Sequence, residues 1–425
     1  MGKKNRAQKK SPSALAIPRI GITGIGIVSP IGTGKNRFWN NLTAGHSGIR
    51  KVTLFDTQNT SSSLAGEIRH FTPKSILGSK GLRLLDRTTL LGLCATQLAI
   101  EDSHLTLTPE IAENLGVVLA STCGSVSSRS GFFLEALEHG HRNLNPALFP
   151  NTVVNSPASQ IAIRFGLRGV NCTISTGFTG VLEAFEYAAN FIRLNRSKAI
   201  LVGGAEELAE MVYISFSKSG LLSSANKKAP EICAPFDQNR NGTVLGEGAV
   251  IFLMENITHA QNRGAHIYAE YRGGATLTDF SAHNRYNLRS RGPIRVIEKA
   301  LKNTAISPGE VDFVAGGANG TPVGDAVEAR ALNAVLGGTG KPVIMSASKS
   351  ILGESFSASG GFQAASALLS LERSVLSPTI NISNLDKRYP IDCTANTSRK
   401  LQVNTAMIAS FSPMCQQTVC LFSRI

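Results

Sequence analysis

Residues 170–192 constrain the fold more than any other part of the chain, because they join a strand pattern to a buried helix pattern through a tight turn. β-Branched residues precede the turn, and small residues on both sides surround Phe178. Residues 181–192 are then apolar on nearly every face, which predicts a helix buried on all sides. A strand that turns directly into a buried helix is typical of a layered α/β fold.

Phe178 stands where a turn of this kind would normally carry a nucleophile. The backbone N–H groups at the start of a helix carry partial positive charge, which lowers the pKa of a cysteine thiol and stabilises a developing oxyanion. A phenylalanine side chain uses neither effect. The sequence therefore predicts the architecture of a reactive site without its reactive group.

Short β-branched segments alternate with longer helical patterns along the whole chain. Strands are predicted near 20–25, 115–121, 170–176, 199–203, 249–255, 311–315, 342–347, 406–410 and 418–423. Helices are predicted over 87–103, 181–193, 292–304, 325–335 and 358–373. With 425 residues and 42% hydrophobic composition, the chain can bury two or more domain-sized cores in α/β layers.

The turn at Phe178 resembles the nucleophile motif of the β-ketoacyl-acyl carrier protein synthases, whose cysteine stands at this position. Residues 19–32 look like the first strand and loop of that family, and Phe38-Trp39 and residues 45–50 follow at its spacing. The block 235–249, Pro-Phe-Asp-Gln-Asn-Arg-Asn-Gly-Thr-Val-Leu-Gly-Glu-Gly-Ala, is close to a long family motif. The resemblance runs from about Arg19 to the last residue.

By the same resemblance, both histidines that decarboxylate malonyl thioesters are replaced. Gly317 stands for the first and Glu354 for the second, whereas the family's lysine remains as Lys349. Gln363 replaces the glutamate that usually partners that lysine, so we expect Glu354 to pair with Lys349. Condensation needs a thiolate and imidazole donors, and neither glycine nor glutamate donates to an enolate. The sequence predicts no catalytic residue.

The C-terminal loop departs from the family as well. The family's Ser-Phe-Gly-Phe-Gly-Gly-Thr-Asn appears as residues 410–417, in which Phe411 remains and Pro413 replaces the gating phenylalanine. Proline has no backbone N–H to offer an oxyanion.

The resemblance implies a thiolase fold with five layers, α-β-α-β-α, and two pseudo-duplicated halves. The turn at Glu354 would be the counterpart of the turn at Phe178. We predict a basic disordered tail over 1–18, an N-terminal ketosynthase-like half over 19–258 and a C-terminal half over 259–425.

The charge balance, 43 Lys and Arg against 29 Asp and Glu, gives a net charge of +14. No nucleic-acid motif accompanies it, so an acidic acyl carrier protein is the expected partner.

The sequence contains no stretch of 18 or more apolar residues, so it predicts no membrane span. Cysteine and histidine spacing predicts neither a metal site nor a cofactor, and seven unpaired cysteines favour a reducing cytoplasm. Cys172, on the incoming strand, is expected to be structural.

Two classes of function stay open. In the first, the chain resembles the chain length factors of type II polyketide synthases and shapes the acyl tunnel of an active ketosynthase partner, in polyketide, aryl polyene or specialised fatty acid synthesis. In the second, it is a homodimeric acyl- or carrier-protein-binding pseudoenzyme. A malonyl-carrier-protein decarboxylase is a weaker alternative, since Phe178 cannot imitate the glutamine that some chain length factors carry at the cysteine position.

Tunnel or interface positions are predicted at Cys123, Phe132, Phe133, Phe149, Thr176, Phe178, Phe411 and Pro413.

Overall fold

The computed structural model describes residues 17–225, 230–282, 285–340 and 342–425. Its strands are β1 (Ile20–Ser29), β2 (Gly32–Thr33), β3 (Ile49–Lys51), β4 (Leu64–Gly66), β5 (Gly116–Ala120), β6 (Asn171–Ile174), β7 (Ala199–Glu206), β8 (Leu245–Gly246), β9 (Gly248–Asn256), β10 (Ala269–Thr278), β11 (Phe313–Ala315), β12 (Val343–Ser346), β13 (Val375–Leu376), β14 (Ile391–Asp392), β15 (Arg399–Lys400), β16 (Thr405–Phe411) and β17 (Gln416–Ser423). Its α-helices are α1 (Lys35–Thr43), α2 (Lys74–Leu77), α3 (Arg87–Asp102), α4 (Pro109–Asn114), α5 (Val126–His139), α6 (Ser156–Phe165), α7 (Gly180–Arg193), α8 (Glu210–Ser219), α9 (Ile257–Asn262), α10 (Gly292–Thr304), α11 (Pro322–Leu336), α12 (Lys349–Leu352) and α13 (Ser357–Arg373).

The large sheet consists of two halves with the same strand order. The first half runs β6-β5-β7-β9-β1 and the second β12-β11-β16-β17-β10, so both read 3-2-4-5-1 when the strands are numbered within each half. The halves meet where β1 pairs antiparallel with β10, from Ile20 opposite Tyr271 to Ile22 opposite Ala269. The predicted pseudo-duplication is confirmed.

Three groups of helices cover the two half-sheets. Helices α7 and α13 lie between them, α3 and α6 cover the outer face of the first half, and α10 and α11 cover the outer face of the second. The order of layers is therefore α-β-α-β-α, which confirms the predicted thiolase fold.

The composition of α13 explains why it can form the central layer. All but the last two of its 17 residues are buried, and Ala, Ser and Gly make up most of them. A Cβ atom on Gly361 would lie 2.9 Å from the Cβ atom of Val250 on β9, so a larger residue there would push the helix away from the sheet.

The predictions misjudge the burial of one helix and omit several elements, among them helices α1, α5, α6 and α8 and strand β10. Helix α7 is not buried on all sides, since Tyr187 is 41% exposed and Asn190 is exposed. Strand β10 was not predicted, since Arg272, Gly273 and Gly274 interrupt its apolar pattern. The predicted boundary at 258/259 falls inside α9 and stays a prediction. Residues 1–16 of the predicted tail lie outside the described residues.

Candidate functional site

Phe178 occupies the predicted turn between β6 and α7. It lies in a single 3₁₀ turn, Gly177–Thr179, and its side chain is only 3% exposed. Gly177 has φ = 72°, a conformation that glycine adopts without the steric cost of a Cβ atom. The turn therefore has the geometry of a nucleophile turn, but a buried aromatic ring stands at its apex.

The Phe178 ring belongs to an aromatic cluster formed by Phe178, Phe356 and Phe216. Phe356 packs edge-to-face against both neighbours, with ring centroids 5.4 Å from Phe178 and 5.2 Å from Phe216. Its backbone is strained, with φ = 49° and ψ = −120°, at the residue that precedes α13. The space in front of α7 is thus filled by side chains of this chain.

Lys349 and Glu354 form a buried ion pair beside the aromatic cluster, as predicted. Lys349 Nζ lies 2.7 Å from Glu354 Oε2, and Nζ also donates to the carbonyl oxygen of Gly317 at 2.9 Å. Glu354 accepts further hydrogen bonds from Asn319 Nδ2, the Phe356 N–H and Ser359 Oγ. The carboxylate that stands in the position of a family histidine is fully used as an acceptor.

Gly317 connects this ion pair to a second buried carboxyl group. Its N–H donates to Glu328 Oε1 at 2.7 Å, while its carbonyl accepts from Lys349. A Cβ atom at residue 317 would lie 3.0 Å from the Ala409 carbonyl oxygen, so a side chain there would require a shift of the backbone. Burial raises the pKa of Glu328 to about 8, partly offset by the Gly317 N–H and by Lys349.

The hairpin between β16 and β17 lies against the Phe178 turn. Ser410 Oγ donates to the Phe178 carbonyl oxygen, and a Cβ atom on Gly177 would lie 3.7 Å from Met414 Sδ. Pro413 is buried in this hairpin and has no N–H to direct toward a substrate. The hairpin therefore lacks the backbone donor that position 413 would otherwise offer to an oxyanion.

Two cysteines, Cys123 and Cys172, lie on segments that adjoin this turn. Cys123 follows Thr122, whose Oγ1 donates to the Gly177 carbonyl, but burial raises the pKa of the Cys123 thiol to about 12. Cys172 is half-buried on β6. A protonated thiol is a poor nucleophile, so Cys123 does not replace the missing group.

The predicted tunnel and interface residues fall into separate places. Phe132 packs edge-to-face against Phe133 and Phe149 on the outer face of α5, where the last two are each 57% exposed. Thr176 is half-buried before the turn, whereas Phe411 is buried in the core of the second half. The structure therefore gathers Phe178, Gly317, Lys349 and Glu354 at one site and leaves the α5 aromatics at the surface.

Sequence reasoning missed Phe356, Phe216 and Asn319. Phe356 stands only two residues after Glu354, but nothing in the pattern indicates a strained backbone or its contact with Phe178. Asn319 lies within the block aligned with the family's first histidine, and its departure from threonine is the signal that could have drawn attention to it.

The described residues offer neither a metal cluster nor a membrane span. No group of three or more His, Cys, Asp or Glu side chains is arranged to hold a metal ion in that part of the chain. Within the same ranges, no helix is long and apolar enough to cross a membrane.

Comparison with known proteins agrees with this architecture. Residues 18–260 match the beta-ketoacyl synthase N-terminal domain and residues 268–383 match the C-terminal domain. The 3-oxoacyl-[acyl-carrier-protein] synthase 2 of Coxiella burnetii is 30% identical over 394 residues, which cover 92% of this chain and 95% of that one. The synthase 2 of Vibrio harveyi is 32% identical over 395 residues, with the same coverage.

Two solved structures are also similar. The ishigamide ketosynthase/chain length factor superposes with a TM-score of 0.89 at 27% identity, covering 96% of this chain and all of that one. A type II polyketide synthase acyl-carrier protein in complex with its ketosynthase bound to the hexaketide gives a TM-score of 0.86 at 27% identity, with the same coverage. The chain belongs to the beta-ketoacyl synthase family.

Proposed function

We propose that this chain is the non-catalytic, chain-length-factor-like subunit of a heterodimeric ketosynthase that acts on acyl carrier protein substrates. The buried Phe178 ring at the apex of the nucleophile turn is the observation that carries the proposal. The similar proteins named as synthases make the family clear, whereas this site lacks each group that condensation requires.

The charges at the site support a structural role for its polar groups. Decarboxylation of a malonyl thioester leaves an enolate, which needs hydrogen-bond donors in a water-free pocket. Glu354 presents an acceptor there, and Lys349, which could donate, is already bound to Glu354 and to the Gly317 carbonyl. Priming by decarboxylation is therefore disfavoured along with condensation.

The open edge of the sheet supports pairing with another subunit. Strand β6 pairs with β5 on one side and, among the described residues, with no strand on the other. An exposed strand edge offers unpaired backbone N–H and C=O groups to a second chain. The edge lies directly before Phe178, so a partner bound there would approach the turn.

The outer face of α5 supplies apolar area for the same contact. Phe133, Leu134 and Leu137 are each more than half exposed, and Phe149 lies beside them. Contiguous exposed apolar side chains of this kind mark protein interaction surfaces. We assign this face and the β6 edge to an active ketosynthase subunit, which would supply the Cys-His-His chemistry, and the acidic carrier protein would dock on the assembled pair.

Native mass spectrometry of the tagged chain purified from its own host tests the proposal. The expected species has a mass near twice 45.0 kDa and contains one copy of this chain with one different ketosynthase chain. The double variant Phe133→Asp/Leu137→Asp should lose the partner, whereas Phe280→Asp, at an 88% exposed position elsewhere, should keep it. A homodimer without any ketosynthase would instead favour the stand-alone acyl-binding pseudoenzyme.

A further inference from the structure

A wide cleft that lies away from Phe178 is strongly basic. It is bordered by the turn at β2, the start of α1 and the segments around β3 and β4, and it encloses about 590 Å³. Its charged lining consists of three arginines, Arg37, Arg50 and Arg69, and a single carboxylate, Glu67, and two imidazoles, His46 and His70, lie among them. Pockets of this volume typically bind small molecules.

Glu67 does not neutralise the arginines. Its side chain is 5% exposed, and Oε2 accepts from the Thr53 N–H at 2.7 Å while Oε1 accepts from the Thr53 hydroxyl. No ion pair joins Glu67 to Arg37, Arg50 or Arg69 within the described residues. The three arginines therefore have no ion-pair partner among the described residues, and together they outnumber the single carboxylate of the cleft.

Two of the three arginine side chains, Arg69 and Arg37, are held by contacts that leave guanidinium donors free. Arg69 Nη2 donates to the Lys51 carbonyl oxygen at 2.6 Å, which fixes one corner of its guanidinium group. The stem of Arg37 lies against Gly32, where a Cβ atom would come within 2.6 Å of Arg37 Cγ. Any larger residue at 32 would displace that stem from the wall of the cleft.

We propose that this cleft binds a small, multiply charged oxyanion, such as a phosphate ester or a polycarboxylate. Planar guanidinium groups donate pairs of parallel hydrogen bonds to both kinds of anion, and charge-assisted bonds of this type are the strongest available at a partly exposed site. Hydroxyl groups of Thr72 and Ser75 in the same lining would complete the shell of donors. The inference does not depend on the function proposed for the Phe178 site.

The cleft is separate from the aromatic cluster. Strand β4, next to Glu67, pairs with β8, and the Gly246 N–H of β8 donates to the Glu354 carbonyl oxygen. The Gly48 N–H, at the edge of the cleft, donates to the Ile351 carbonyl oxygen. These contacts are made by backbone atoms, and no hydrogen bond joins the arginine side chains to Lys349 or Glu354 among the described residues.

Isothermal titration calorimetry of the full chain with pyrophosphate and with citrate, at constant ionic strength, tests the proposal. Arg50→Gln/Arg69→Gln should weaken binding of the preferred anion by roughly tenfold or more, because it removes two charge-assisted partners. Arg142→Gln/Arg289→Gln removes the same charge from exposed positions elsewhere and should change affinity by less than about twofold. If only one of the two anions gives a saturable binding heat, that anion identifies the chemical class of the ligand.

Two results would overturn the proposal. One is the absence of saturable binding for both anions. The other is an equal loss of affinity in the two double variants, which would mean that the net charge of +14 attracts anions without a site. Thermal unfolding of each variant without ligand shows whether the fold is intact, and Arg37→Gln alone provides a second, milder change in the same cleft.

Discussion

The two halves of the molecule carry the same strand order, but their central turns have opposite character. The turn before α7 presents an apolar ring, Phe178, whereas the turn before α13 presents a buried ion pair, Lys349 with Glu354. The comparison shows that one duplicated scaffold can bury either kind of group at the same place. The neighbours differ accordingly: aromatic rings surround Phe178, and hydrogen-bond donors surround Glu354.

The largest expected effect on the free energy of unfolding comes from removing one partner of the Lys349–Glu354 ion pair. Lys349→Met leaves the Glu354 carboxylate buried without its cation, which should lower the free energy of unfolding by about 3–5 kcal/mol. Lys349→Met/Glu354→Gln removes both charges and should recover much of that loss. Urea unfolding of the two variants and of Glu354→Gln completes the cycle. Equal destabilisation in the single and double variants would show that packing, rather than charge, holds this turn.

Removing the Phe178 ring should lower the free energy of unfolding by a similar or slightly smaller amount. Phe178→Ala removes a ring that is 3% exposed and leaves a cavity against Phe356, at a cost of about 3–4 kcal/mol. Phe178→Leu keeps most of the volume and should cost less than about 1.5 kcal/mol. Thermal and urea unfolding measure both. An unchanged stability in Phe178→Ala would mean that the ring does not hold the two helix starts together.

The layered fold was predictable because it rests on local patterns, whereas the contents of the site were only partly so. All nine predicted strands and all five predicted helices are present, since β-branched runs and helical apolar faces determine them locally. β10 escaped prediction because its pairing with β17 and β1 stabilises a segment that glycines make locally weak. Phe356 lies against Phe178 only because α7 and α13 meet in the central layer, which no local pattern records.

The third expected effect is a change in the pH dependence of stability, and it comes from Glu328, the buried carboxyl group that accepts a hydrogen bond from the Gly317 N–H. Burial raises the pKa of Glu328 from 4.5 to about 8 in the folded chain. Because the folded pKa is raised, the stabilising contribution of the protonated acid is full below the unfolded pKa and is lost as the pH rises through about 8. Glu328→Gln keeps an acceptor for the Gly317 N–H and removes this loss.

Between about pH 6 and pH 8, the stability of Glu328→Gln relative to the parent should therefore rise by up to about 2 kcal/mol, at about 1.4 kcal/mol per pH unit. Glu138→Gln, at an exposed position on α5, provides the matched control and should show no such trend. Glu206 and Glu207, whose burial raises their pKa values to about 7, are present in every variant and cancel in the comparison. A parallel pH dependence of Glu328→Gln and the parent would contradict an ionising Glu328.

The smallest expected effect is on condensing activity. It tests whether the geometry of the Phe178 turn is sufficient for catalysis once a thiol is present. Phe178→Cys places a thiol at the start of the 14-residue helix α7, where the helix dipole favours its thiolate, so alkylation by iodoacetamide should be readily detected by mass spectrometry. Condensation of malonyl and acyl carrier proteins should nevertheless stay at background. Gly317 and Glu354 still donate no hydrogen bond to an enolate, and Lys349 stays bound to Glu354. Robust turnover by this single variant would show that the missing thiol alone, and not the loss of both imidazole donors, keeps the site inactive.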